Sequence, residues 1–371
     1  MQAARRNARS FNLEDRQTMA WDAYARGRFL SFALTGAIAA GVSVFPADAA
    51  CFRGINLSGA EFGEAQGAPD KDYTYPSDRT IGYFAKKGFN TVRLPFLWER
   101  LQPRLMQDLD RDETRRLADA VSRLKQAGLK VILDPHNYGR YAGNRIGSDQ
   151  VPDEAFADFW RRLAAGYAND PAVQFGLMNE PHDIAASRWL ASANAAIAAI
   201  RSQQAGNLIL VPGTNWTGAH SWGTGDPAEA NGTVMLGVQD PAQNYAYEVH
   251  QYLDGDFSGT HATCERAQDA VTALQGFTEW LRANGKRGFL GEFGGSAKAD
   301  CLDGIARMVE VIDSNPDIWT GWSYWVAGDW WPASEPLNIQ PVEHRDRPQL
   351  KALEAGLSKT AGACPALENG R

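Results

Sequence analysis

Eight short β-rich runs, separated by longer and mostly helical segments, constrain this chain more than any other feature. The runs fall at residues 52–57, 90–94, 130–134, 173–178, 208–211, 245–250, 288–291 and 320–325. Helical periodicity is clearest at 112–127, 153–167, 184–204, 267–282 and 302–313. Gly88, Gly128, Gly206 and Gly285 stand where helices should end, and Asp112 and Asp153 where helices should begin, as left-handed C-caps and side-chain N-caps favour. Strands alternating with helices read as parallel βα units. Eight of them close most simply into a single-domain α/β fold, a (β/α)8 TIM barrel. An open dinucleotide-binding sheet would need a glycine-rich turn after its first strand; Asn56-Leu57-Ser58-Gly59-Ala60 follows instead. The unit after the fifth run breaks the pattern: residues 212–240 are rich in Gly, Asn, Thr and Trp with little helical periodicity, and long irregular loops in compact domains are often functional.

The first fifty residues read as a separate region. Arg26 and Arg28 precede an apolar run at 30–44, and Ala47-Asp48-Ala49 follows it, the order of a secretory signal. Residues 1–49 are therefore expected to be a signal region, with Met19 a possible true start, leaving a folded domain at 50–371. The alternative is an uncleaved membrane anchor. Export would let the four cysteines, Cys51, Cys264, Cys301 and Cys364, form two disulfides. Barrel termini meet, so Cys51 is expected to pair with Cys364 and Cys264 with Cys301. No spacing suggests zinc, and no metal or cofactor is expected. A net charge of −7 argues against nucleic acid or an anionic membrane as the main partner, because both need a basic face. A secreted monomer, extracellular or periplasmic, is the expectation.

In such barrels reactive side chains gather at the C-terminal ends of the strands. Those ends carry Arg93, Asp134-Pro135-His136-Asn137, Met178-Asn179-Glu180-Pro181-His182, His250-Gln251-Tyr252, Gly291-Glu292-Phe293-Gly294 and Trp325. Glu180 and Glu292 at one barrel mouth invite a two-carboxylate mechanism. Glycoside cleavage needs one carboxyl to donate a proton and one carboxylate to attack or to activate water. Either Glu alone fits a salt-bridge partner as readily. Arg93 could hold a carboxylate ionised through its opposite charge, or could only tie two strands together. His250 and Tyr252 share a face if their strand stays regular, which ordinary interior residues would also do. His136 equally fits a satisfied loop histidine. Of the 12 Trp, Trp216, Trp222, Trp325, Trp330 and Trp331 fall at the mouth, where rings can lie against sugar faces; three of these five are expected in a cleft rather than the core.

These strand-end residues resemble glycoside hydrolase family 5, and within it the cellulase-type endoglucanases. The likeness runs from Gly54-Ile55-Asn56 to the eighth strand. Its most specific segment, Met178-Asn179-Glu180-Pro181-His182, looks like the family's acid/base motif. Val92-Arg93-Leu94-Pro95-Phe96, continued by Trp98-Glu99-Arg100-Leu101-Gln102-Pro103, and Trp216-Thr217-Gly218-Ala219-His220-Ser221-Trp222 resemble the endoglucanase subgroup. The resemblance implies Glu180 as acid/base and Glu292 as nucleophile, with Arg93 and Tyr252 positioning Glu292. It implies Asn179 on the sugar 2-hydroxyl, His136 and His250 binding sugar or orienting the carboxylates, and Trp325 as a platform. Trp216, His220 and Trp222 would be further substrate contacts. The implied activity is retaining hydrolysis of a β-1,4-glucan. Mannan or another β-glucan is the alternative substrate, and a non-catalytic glucan-binding barrel the alternative role. One local departure is Gly291, where many relatives carry Thr before the Glu; with the carboxylate retained, the chemistry is expected to be unaffected.

Overall fold

The computed structural model describes residues 52–358. The expected signal region and the expected Cys51–Cys364 bridge lie outside the described residues. Eight parallel strands close into a barrel: β1 Phe52–Leu57, β2 Thr91–Phe96, β3 Lys130–Pro135, β4 Val173–Gly176, β5 Ile209–Pro212, β6 Tyr245–His250, β7 Gly288–Glu292 and β8 Trp319–Ala327. Each pairs in parallel with the next, and β8 closes on β1 through Phe52 opposite Gly321. Helices α1 Asp78–Lys86, α2 Arg111–Gln126, α3 Asp153–Ala165, α4 Ala186–Ser202, α5 Ala267–Ala283, α6 Ala299–Asp313 and α7 Pro348–Leu357 surround it.

Residues of period two along each strand explain the layering. Phe52, Ile132, Leu210, Ala246 and Phe289 form a small apolar cluster of their own, whereas Val131, Leu133, Val211 and Val249 belong to the large cluster shared with the helices. The alternate strand positions therefore seal the barrel interior, and the others bind the helical ring.

Between β5 and β6 the chain makes only short helical turns, at Asn215–Thr217, Ala219–Ser221, Asn231–Val234 and Met235–Gly237, so the expected break in the pattern is present. Asn231 within it is 1% exposed. Its amide accepts from the Thr214 backbone and donates to it, which closes the Asn231-Gly232-Thr233 sequon to modification in the folded chain.

Three local expectations are corrected. The N-cap of α2 is Asp110, accepting from the amides of Asp112 and Glu113. Pro152, not Asp153, precedes α3, and Asp153 instead accepts from Ser192. Both Asp112 and Asp153 are first-turn acids, a place the helix dipole favours. Gly88 and Gly128 take the left-handed φ of 91° and 79°, but after α4 it is Gln204, at 57°, that turns the chain rather than Gly206.

Candidate active site

Arg93, on β2, is fully buried and organises the barrel mouth. Its Nη1 donates to Asn56 Oδ1 at 3.0 Å and to Glu292 Oε1 at 2.9 Å, and lies 3.0 Å from Asp134 Oδ2. Its Nε donates to Glu248 Oε1 at 3.0 Å, and Nη2 to Asn179 Oδ1 at 2.9 Å. Burial alone would lower the guanidinium's pKa; Asp134, Glu248, Glu292 and Glu180 more than reverse that. An isolated buried charge is costly, but one ringed by carboxylates and carbonyls is compensated. Burial would likewise raise Asp134, and Arg93 and His136 hold it below the usual carboxylate range.

Asn179 is oriented by this contact. With its carbonyl taking the Arg93 hydrogen bond, its Nδ2 faces His136 Nε2 at 3.2 Å. That bond needs a lone pair on Nε2. The hydrogen-bond pattern therefore assigns the His136 proton to Nδ1, which meets Asp134 Oδ2 at 2.8 Å.

Glu292 ends β7 and its side chain is 5% exposed. Oε1 accepts from Arg93, and Oε2 from the Tyr252 hydroxyl at 2.7 Å. Burial raises its carboxyl above the ordinary value, and the Glu180 charge adds to this; His250 and Arg93 pull the other way without prevailing. The expectation that Arg93 would lower the carboxyl thus holds for the direction of its pull but not for the net result. Tyr252 reaches this position from beyond β6, whose ladder shifts register between Val249 and His250, so strand regularity is not what places it.

Glu180 follows β4 with a left-handed φ of 39°, a conformation that costs energy for a non-glycine residue and clusters at functional sites. Its Oε1 is 2.7 Å from His250 Nδ1, and its side chain is 15% exposed. His250 Nδ1 is also 3.5 Å from Glu292 Oε2. Burial would lower the imidazole's pKa, but Glu292, Glu180 and Glu248 raise it to about 10. Glu180, His250 and Glu292 bring ligand-type atoms within 4.8 Å of one another. The Arg93 guanidinium already paired to Glu292 would repel a cation there.

Trp325 stacks on His136 with ring centroids 5.4 Å apart and planes 13° from parallel. Trp331 meets Trp325 edge-on, and its indole donates to Ser58 Oγ. Phe62, His136, Tyr138, His182, Trp325 and Trp331 all line one cleft of about 700 Å³. Trp216 is exposed and stacked on His182 at 4.5 Å, and Trp330 is also exposed. Trp222 departs from expectation. It is 3% exposed and packs edge-on against Tyr247, Phe277 and Trp280, because the loop after β5 folds that ring onto α5. His220 lies apart from the Trp325 cleft, stacked on Phe257 and held by Gln251, beside a second cavity of about 600 Å³.

Cys264, just before α5, is bonded to Cys301 in the first turn of α6. Closing a loop of 37 residues should stabilise the fold by about 4 kcal/mol in the chain-entropy model. Asn56 and Glu248 escape the sequence reading of the site, and Asp134, noted at its strand end, is given no role there. Asp134 stands two before His136 and Glu248 two before His250. The period-two spacing that pairs His250 with Tyr252 would have found Glu248 as well.

Fold and site together define a class: a barrel enzyme with two carboxylates at its strand ends beside an aromatic-lined cleft. The chain belongs to the cellulase family, glycosyl hydrolase family 5, whose model matches residues 52–328. It is similar to endo-β-1,4-glucanase A of Emericella nidulans, 39% identical over 293 residues that cover 78% of this chain and 86% of that one. An endo-β-1,4-glucanase of Xanthomonas axonopodis pv. citri superposes with a TM-score of 0.80 at 48% identity, covering 82% of this chain and 98% of that one. A structure of XacCel5A in complex with cellopentaose gives 0.81 at 45% identity, covering 83% and 99%.

Proposed function

We infer that the protein is an endo-β-1,4-glucanase that works by double displacement, with Glu180 as acid/base and Glu292 as nucleophile. The observation that carries the mechanism is that both carboxylates face one imidazole, Glu180 Oε1 at 2.7 Å and Glu292 Oε2 at 3.5 Å from His250 Nδ1, with an oxygen of each inside 4.8 Å of the other. Direct attack needs carboxyls about 5–5.5 Å apart, and an interposed water needs about 6.5–9.5 Å. In the first step the Glu180 proton goes to the leaving oxygen. The C1–O glycosidic bond breaks and a C1–Oε bond to Glu292 forms. In the second step Glu180, now ionised, takes a proton from water as water's oxygen displaces Glu292. Arg93 and Tyr252 orient Glu292, Asn179 meets the sugar 2-hydroxyl, and Trp325 lies under the ring. Glucan is favoured over mannan by relatives whose names specify endo-β-1,4-glucanase and by a neighbour that holds cellopentaose.

The chain is further proposed to be exported, residues 1–49 serving as its signal region and 50–371 remaining. The apolar run at 30–44 and the Cys264–Cys301 bond support this. Among the described residues no helix is long and apolar enough to cross a membrane. A site built from one chain needs no partner copy, which supports a working monomer. Hydrolysis of carboxymethyl cellulose, barley glucan, mannan and xyloglucan tests the function. The expected result is rapid viscosity loss on carboxymethyl cellulose with few reducing ends released. A preference for mannan would overturn the substrate, and binding without any new reducing ends would overturn the activity.

A further inference from the structure

Glu248 is a buried carboxylate beneath the site to which neither the resemblance nor the mechanism above gives a role. It stands on β6 two residues before His250, and it is 1% exposed. Its Oε1 accepts from Arg93 Nε at 3.0 Å, across the barrel, and faces His250 Nε2 at 3.5 Å. Its Oε2 is buried with no hydrogen-bond partner. Space for this carboxylate depends on the neighbouring strand. A Cβ built on Gly291 would stand 2.1 Å from Glu248 Oε1 and 2.8 Å from His250 Nε2. Any side chain at 291 must therefore displace the carboxylate. On the other side, a Cβ on Gly176 would reach Oε2 only at 3.8 Å.

We propose that Glu248 is a positioning residue for the acid/base, acting through His250, and that glycine at 291 is what admits it. The inference rests on the reading of Glu180 as acid/base. The imidazole bridges two carboxylates: Nδ1 meets Glu180 and Nε2 faces Glu248. A carboxylate accepts but cannot donate, so Glu248 requires a proton on Nε2. When Glu180 is ionised, as it is when it activates water, a neutral ring would offer it only a lone pair, whereas an imidazolium donates to both carboxylates. Glu248 thereby favours the imidazolium that holds Glu180 in place. The departure at Gly291, expected to leave the chemistry unaffected, becomes the condition for this arrangement. Other charges act on the ring as well. Glu180 faces it from the end of β4 and Glu292 from β7. Arg93 on β2, with Asp134 on β3 and His136 just past it, complete the surroundings, and Tyr252 stands two residues beyond His250. Of these, Glu248 alone is placed to face Nε2 at 3.5 Å.

The test is Glu248→Gln in the full chain, read by ¹⁵N NMR titration of His250 and by the pH profile of kcat on an aryl cellobioside. The His250 midpoint should fall by about one unit or more, as losing an adjacent charge predicts. The alkaline limb of kcat should move down with it, while KM changes less than about threefold, because the residue touches no sugar. A midpoint and a pH profile both within 0.3 unit of the parent, on the scale that one unit is a tenfold change, would overturn the proposal. If Glu248→Gln does not fold, Gly291→Ala keeps it open to refutation. Its loss of Tm should shrink when Glu248→Ala is present in both chains compared, leaving only the part due to the 2.8 Å contact with His250 Nε2. An equal loss with and without the Glu248 side chain would show that the carboxylate does not own that space. Should the native protein release no reducing ends from any glucan, the activity assignment fails while the NMR titration still judges Glu248.

Discussion

The ends of β4 and β7 carry the same side chain in different surroundings. Glu292 is enclosed, with both oxygens engaged by a cation and a phenol. Glu180 is three times as exposed, stands on a left-handed backbone position, and meets His250 through Oε1. On the proposed reading, the first arrangement fixes the carboxylate that attacks one carbon. The second is the more open of the two, as suits the proposed acid that becomes a base. On that reading, this difference in surroundings is the means by which one residue type takes two roles.

Removing each carboxylate should break the comparison in distinct ways, and these are the largest effects expected. Glu292→Ala should lose at least about 10⁴-fold in kcat; azide should enter in its place and give an α-glycosyl azide from an activated β-glycoside. Glu180→Ala should keep the first step on a substrate with a good leaving group and then stall, and azide should restore turnover with a β product. Identical azide products from both variants would contradict the assignment of roles.

A second comparison sets Trp325 against Trp222. Trp325→Ala should cut kcat/KM by about tenfold or more while Tm stays within a few degrees. Trp222→Ala should cost about 3–5 kcal/mol of stability, as for a large side chain deleted from a core, with kcat/KM per folded molecule little changed. Thermal melts and kinetics on one substrate check both; the reversed pattern would exchange a sugar platform for a packing ring.

The helices were legible because their apolar residues repeat near every 3.6, and the strands because short β-rich runs between them are buried on both faces. The grouping of Glu180, Glu292, Arg93 and Tyr252 was legible because they sit at strand ends or just past them, where the barrel brings them together. Less legible was what folding decides at longer range. Trp222 and Trp325 are equivalent as letters, but one ring is captured by α5 and the other opens on a cleft. Glu248 reads as one charge in an apolar run, and only the closed barrel brings Arg93 to it. The α2 cap was misplaced by two residues because three of the four residues from Asp110 to Glu113 are acidic, and the cap is settled by which carboxylate can turn back onto the free amides.

A smaller effect sharpens the His250 side of the comparison. The imidazole is held up to about 10 in the folded chain, against about 6.5 when unfolded. A raised pKa means the folded state binds the extra proton, so the stabilisation is complete below about 6.5 and is lost as pH rises through about 10. Melting temperatures should therefore fall more steeply between pH 7 and 10 in the native protein than in His250→Gln. Parallel slopes would show that the ring carries no proton across that range.

The central claim is that Glu292 attacks the sugar directly, as the approach of its carboxylate to within 4.8 Å of that of Glu180 supports. Proton NMR of the first sugar released from a β-1,4-linked oligosaccharide reads this before the anomers equilibrate. The account predicts the β-anomer, the product of two inversions at one carbon. An initial α-anomer would mean a single displacement by water and would contradict it.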